Sequence, residues 1–166
     1  MSRSAPASLS LPRGAERNVA LASDKMTGVS PIERKAVADC DNAALMESLM
    51  EAVHRYFELM YDCDTSKFDQ VFAPTSNLHG EPDGRMVAWS ASAYREVLDN
   101  RQSPESLAAT RSDHVLLVDF ASENMALVKV RVNIAARRFV DYLTWHRIDG
   151  NWLITSKGYY VEDHGI

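Results

Sequence analysis

Between residues 43 and 62, apolar side chains recur at Leu45, Met46, Leu49, Met50, Val53, Phe57 and Met60. That three-and-four spacing lays one stripe along an α-helix. The opposite face carries Glu47, Glu51, His54, Arg55 and Glu58, so His54 reads as a solvated surface residue. Tyr56 and Tyr61 border the stripe, where they can line a cavity or fill the core with a satisfied hydroxyl. Upstream, "SPIE" offers Ser30 as a cap, Pro31 at the first helical position and Glu33 as the reciprocal partner of a capping box. This predicts a short helix to about Val37, with Asp41 or Asn42 capping the long helix that follows.

Downstream the period changes. "DCDTSKFDQVFAP" predicts a turn and a second, short helix bearing Phe68, Val71 and Phe72 and stopped by Pro74. "SNLHGEPDGRMVAWS" reads as two short strands around a turn at Glu81 to Gly84. Ser90 or Ser92 can cap a third helix through about Asn100. Four strands are then predicted at 109–119, 124–136, 138–148 and 151–162. In the second of these, Ala126, Val128, Val130, Val132 and Ile134 alternate with Leu127, Lys129, Arg131 and Asn133, the mark of a half-buried strand.

Composition changes the picture mainly at the N-terminus. Residues 1–37 hold six basic and three acidic side chains among Ser, Ala and Pro, leaving 12 basic and 20 acidic for the rest of a chain of net charge −5. Too little apolar surface is present there to offset ordering, so residues 1–28 are expected to form a disordered tail. The same Ser- and Arg-rich start is similar to an organelle transit peptide, and Met26 can equally be the start of translation. Residues 29–41 are assigned to the short helix and a linker, and 42–163 to one domain. No run of more than two basic residues occurs, which argues against a nucleic-acid partner. No apolar stretch approaches the ~20 residues needed to cross a bilayer. A cytoplasmic protein is expected, and its two cysteines, Cys40 and Cys63, lack metal-site or redox spacing. The five histidines show no metal-binding spacing, and no phosphate loop or nucleophile elbow is present.

One residue breaks the apolar logic. In "FVDYLTWHRIDGNWLITSKGYY", Asp149-Gly150 favours a two-residue type I′ turn. Pairing outward from it sets Trp145 against Ile154, Leu143 against Ser156, Asp141 against Gly158 and Phe139 against Tyr160. One face then holds Phe139, Leu143, Trp145, Trp152, Ile154 and Tyr160, with Asp141 among them opposite a glycine. A carboxylate there can line a cavity, where burial raises its pKa and a ligand can reach it. This register sends Lys157 to the other face beside Tyr142, and a slip of one residue would reverse the relation.

"YDCDTSKFDQVFAP", "LHGEPDGRMVAWSASAYREVL", "LLVDFASENMALVKV" and the hairpin above resemble the nuclear transport factor 2-like superfamily, in particular its small SnoaL-like and lumazine-binding-like bacterial members. The resemblance covers about residues 43–162. It implies an α+β fold in which a cone-shaped, curved antiparallel sheet wraps around the N-terminal helices and leaves an open cavity. It also implies a homodimer formed through the outer sheet face. Enzymes of this superfamily generally need no cofactor and move protons with cavity Asp, His and Tyr side chains, while other members only bind ligands or partners. His114 lies in the strand that carries a catalytic histidine in dehydratase-like members, but nearer to "LLVDF" than their pattern places it.

These readings converge on Asp141 as general acid or base, with His79 or His114 completing the pair and Tyr56 or Tyr61 steadying an oxyanion. Trp145 and Tyr160 are the expected ligand walls, with Tyr61. Each has a plainer alternative: a paired structural carboxylate, a strand-end histidine, core rings. Asp64 reads best as a helix cap. The expected activity is a cofactor-independent lyase or isomerase acting on a small apolar or aromatic carbonyl compound, with no metal. The alternative is a non-catalytic small-molecule-binding or protein-interaction domain.

Overall fold

The computed structural model of the chain describes residues 31–134 and 136–162. The tail predicted for residues 1–28 lies outside them. The chain divides into a unit ending at Asp39 and one starting at Cys40, and the described part of the first is the opening of helix α1, Pro31–Asp62. Two helices were predicted across this stretch and one forms. Asp41 and Asn42 cost only fractions of a kcal/mol inside a helix, and no Gly or Pro interrupts the run after Pro31, so nothing forces a break.

Cys63 closes α1 in the left-handed region (φ 57°), its amide donating to the Leu59 carbonyl at 3.1 Å. Asp64 then caps a 3-10 helix, Thr65–Gln70, by accepting from the Ser66 amide. An α-helix ending at Pro74 was predicted here. Instead strand β1, Phe72–Glu81, begins at once and runs through the proline. Its ladder to the neighbouring strand is interrupted between Phe72 and Asn77, so Pro74 sits where its missing N–H removes no ladder bond. After a turn with Gly84 at φ 72° comes β2, Val87–Ser90. Ser90 caps α2, Ala91–Asn100, which buries Ala91, Tyr94 and Leu98.

Strands β3 (Asp113–Ser122), β4 (Met125–Ile134), β5 (Arg137–Ile148) and β6 (Asn151–Glu162) follow. β3 starts later than predicted because Ala108 and Ala109 close turns onto Glu105 and Pro104. The sheet order is β2-β1-β6-β5-β4-β3. All pairs are antiparallel except β1 with β6. The sheet is curved and unclosed. Its inner face, with Leu78, Val128, Val130, Leu143, Trp145 and Ile154, packs on Leu49, Val53, Tyr56 and Phe57 of α1 in one buried cluster.

The β5–β6 turn has Asp149 at φ 49° and Gly150 at φ 82°, the type I′ combination. The predicted register holds from Ile148↔Asn151 to Trp145↔Ile154 and then shifts: Thr144 pairs with Ser156, Leu143 with Lys157, Asp141 with Tyr159 and Phe139 with Val161. Thr155 is the extra residue of a β-bulge. Its hydroxyl bonds the His146 imidazole at 2.7 Å. From that point every residue of β6 faces the side opposite to the one predicted.

Candidate functional site

The bulge brings Lys157, rather than Gly158, onto the inner face next to Asp141. Both are buried, Asp141 fully and Lys157 to 4% exposure. Charges are rarely taken out of water unpaired, and here the ammonium lies 3.2 Å from Asp141 Oδ2. Tyr56, fully buried on the inward stripe of α1, completes the group. Lys157 Nζ donates to the Tyr56 hydroxyl at 2.6 Å, and that hydroxyl donates to Asp141 Oδ2 at 2.5 Å.

An ammonium carries three donors. One donates to Tyr56, Asp141 is held as an ion pair, and the ammonium has no further hydrogen-bond or ion-pair partner among the described residues. The rings of Tyr56, Tyr94 and Tyr159 lie 5.1, 5.5 and 5.6 Å from Nζ, within cation–π range. Burial pushes the Tyr56 pKa well above its usual value, helped by the Asp141 carboxylate and Tyr94 and opposed by the Arg101 guanidinium. Burial also pushes Tyr159 up to about 12, with the same two neighbours adding to the rise. Asp141 Oδ1 is buried without a hydrogen-bond partner among the described residues.

Lys157 lines a cleft of about 180 Å³. Four rings line it as well: Trp89, Tyr94, Phe139 and Tyr159. Trp89 and Tyr159 stack nearly parallel, their centroids 6.0 Å apart. A side chain at Gly80 would run into the Tyr159 ring, so the glycine is what lets that ring lie against β1. Pro82, Val97 and Ile134 supply aliphatic wall, and Arg101 and Arg137 supply charge. Arg137 donates to the Pro82 carbonyl and to Asp83 Oδ1 at the β1–β2 turn. Arg101 donates to the Met60 carbonyl and to Cys63 Sγ at 3.1 Å.

Of the predicted site residues, the structure brings together Asp141 and Tyr56, and both sit behind Lys157 instead of at the cleft surface. His79 pairs with Gly158 and His114 with Arg131 on the outer face, both exposed, so neither reaches Asp141. Tyr61 is spent on the Ala109 carbonyl, with Arg111 over its ring. Trp145 is wholly buried core, not a cleft wall. Tyr160 is 57% exposed on the outer face, because the bulge exchanges it with Tyr159. Lys157, Tyr159, Tyr94, Arg101 and Arg137 were missed. For Lys157 two signals were available: the polar "TSKG" that interrupts the alternation of β6, and the want of a countercharge for Asp141 in the regular register.

Among the described residues no three His, Cys, Asp or Glu side chains are grouped to hold a metal ion. None of the described helices is long and apolar enough to cross a membrane.

Residues 44–160 match the family described as "Putative lumazine-binding". The chain belongs to that family. Its fold is that of NTF2-like proteins, an α+β cone-like arrangement. One such protein of unknown function from Silicibacter pomeroyi DSS-3 superposes with a TM-score of 0.63 at 22% identity, over 73% of this chain and 98% of that one. A second, from Shewanella baltica OS155, gives 0.63 at 18% identity over 72% and 94%. A third, from Methylobacillus flagellatus KT, gives 0.62 at 12% over 71% and 92%. At these identities the likeness shows the fold alone. No protein of curated function matches the sequence.

Proposed function

We propose that this protein binds a small ring-bearing molecule in the cleft lined by Lys157, and that the Tyr56–Asp141 pair behind the ammonium serves to hold it in place. The observation that carries this reading is the buried lysine: it is fixed from behind by a hydrogen bond to Tyr56 and an ion pair with Asp141, and it borders a cleft walled by four aromatic rings. The family's description, with its reference to lumazine, agrees with a ring-bearing ligand but does not define its size. The test is a thermal-shift screen of ring-containing metabolites against the full chain and a Val97→Trp variant, whose indole would fill the cleft. Binders should stabilise the parent and lose that effect in the variant. Shifts of equal size in both proteins would remove the cleft from the account.

A second reading keeps the lyase or isomerase acting on a small carbonyl compound. It is favoured by the continuous chain of contacts from Lys157 Nζ through the Tyr56 hydroxyl to Asp141 Oδ2, which could carry a proton between the cleft and a buried carboxylate. In this reading the histidines take no part. Tyr56→Phe would then abolish turnover while leaving ligand affinity largely intact, whereas pure binding shows no turnover to lose. Exposed Leu117, Tyr142 and Tyr160 on the outer sheet face support pairing of two copies there, which sedimentation of the purified protein would test. The acidic balance and lack of basic runs support a protein that works without nucleic acid.

A further inference from the structure

We infer that the cleft selects a single-ring aromatic carboxylate, with the anionic group held by Lys157 and Arg101 and the ring lying among the aromatic walls. This rests on the small-molecule-binding reading above and adds sign of charge and size to it.

The sign follows from how charges are distributed. The chain as a whole is acidic, at −5, yet the cleft lining holds three cations and no carboxylate. The Lys157 charge is balanced by Asp141, and Arg137 is paired with the exposed Asp83. Arg101 is different: its partners are a carbonyl and a thiol, and no carboxylate lies within ion-pair distance of it among the described residues. An uncompensated guanidinium against apolar walls, where water screens it poorly, favours an anion entering the cleft. Lys157 makes one hydrogen bond, to Tyr56, so its ammonium keeps donor capacity for a charge-assisted hydrogen bond to that anion. Arg101 and Lys157 line the same cleft, so the two cations act on one region.

The size follows from volume. A cavity of roughly 150 Å³ holds one benzene molecule, and this cleft measures about 180 Å³. One ring with a small substituent fits that space, and a fused bicycle would leave part of its surface outside the cleft. A carboxylate directed at Lys157 and Arg101 leaves the ring against Tyr94 and Tyr159.

The test uses calorimetric titration of the full chain with five probes: benzoate, its neutral isostere benzamide, the cation benzylamine, the bicyclic anion 2-naphthoate, and lumazine. Benzoate should bind at least tenfold more tightly than each of the others. Arg101→Gln should weaken benzoate about tenfold and leave benzamide unchanged. Because Arg101 also braces the end of α1, an Arg137→Gln variant on the exposed rim is run beside it and should weaken benzoate several-fold. Benzamide binding as tightly as benzoate would overturn the charge selection while leaving the ring-binding reading intact. Preference for naphthoate or lumazine would overturn the size limit alone. If none of the five binds, both this inference and the reading beneath it fall.

Discussion

Removing the Lys157 ammonium while keeping its stem, as in Lys157→Met, isolates the charge at the centre of the site. At 3.2 Å from Asp141 Oδ2, and with an effective dielectric of about 20, the attraction lost is of order 5 kcal/mol. Breaking one side of a buried pair typically costs ~3–5 kcal/mol, because the remaining charge stays buried without its counterion. Asp141 is fully buried and keeps only Tyr56 as a partner for one oxygen, so the upper half of that range applies. For a domain of this size, roughly 3 °C of Tm accompanies each kcal/mol, giving a fall of ~10 °C or more. Urea unfolding followed by far-UV circular dichroism measures the change directly, with an unchanged m-value showing that two-state behaviour holds. The companion variant Asp141→Leu/Lys157→Met removes both charges and should recover most of the loss, since apolar replacement of a buried pair is often neutral or stabilising. The reasoning is refuted if Lys157→Met costs under about 1 kcal/mol, or if the double variant is no more stable than the single one.

Tyr56→Phe removes the hydroxyl that accepts from Lys157 and donates to Asp141, and should cost ~2–3 kcal/mol in the same urea assay; a loss under 0.5 kcal/mol would show that the two charged groups close the gap directly. Tyr56 and Tyr159 both have folded pKa values above the unfolded value near 10. The fold therefore favours their protonated forms, and their contribution is complete below about pH 10 and lost as pH rises through their folded pKa values, about 12 for Tyr159. Stability should fall by up to about 1.4 kcal/mol per pH unit for Tyr56 across that window, less for the half-buried Tyr159, and Tyr56→Phe should flatten the slope measured between pH 9 and 11.5. Gly80→Ala sets a methyl group into the Tyr159 ring and should cost ~1–3 kcal/mol, whereas Gly158→Ala, with open space around its Cβ position and no positive φ, should stay within about 0.5 kcal/mol of the parent; equal effects at the two glycines would contradict the packing described.

Much of the fold was legible because the periodicities are strong. The α1 stripe, the alternation of β4 and the Asp-Gly turn each dictate one local conformation, and the strands built from them form as expected. The failures have local causes too. Two capping-type residues in mid-helix carry the same signal as a true helix start, so Asp41 and Asn42 suggested a break that α1 does not make. Phe68, Val71 and Phe72 fit one helical face, but burying Phe72 against both Tyr56 and Tyr94 is better served by a 3-10 turn followed at once by a strand.

The site was less legible for one reason, and it lies in a single residue. Alternation along a strand tells which residues share a face only while the ladder is regular. An inserted residue leaves the sequence pattern before it untouched and inverts every assignment after it. Thr155 does this in β6. Asp141, on the uninterrupted β5 side, is on the inner face as its alternation predicts. Lys157, Tyr159 and Tyr160 lie beyond the bulge, and the two of them given a side, Lys157 and Tyr160, were placed on the wrong one. Without the bulge Asp141 would face Gly158, with Tyr56 as a hydrogen-bonding partner but no countercharge, and burying a carboxylate that way is costly. The unpaired acid was therefore itself evidence against the regular register: a countercharge was required, and Lys157 is the basic residue that a one-residue shift delivers to it.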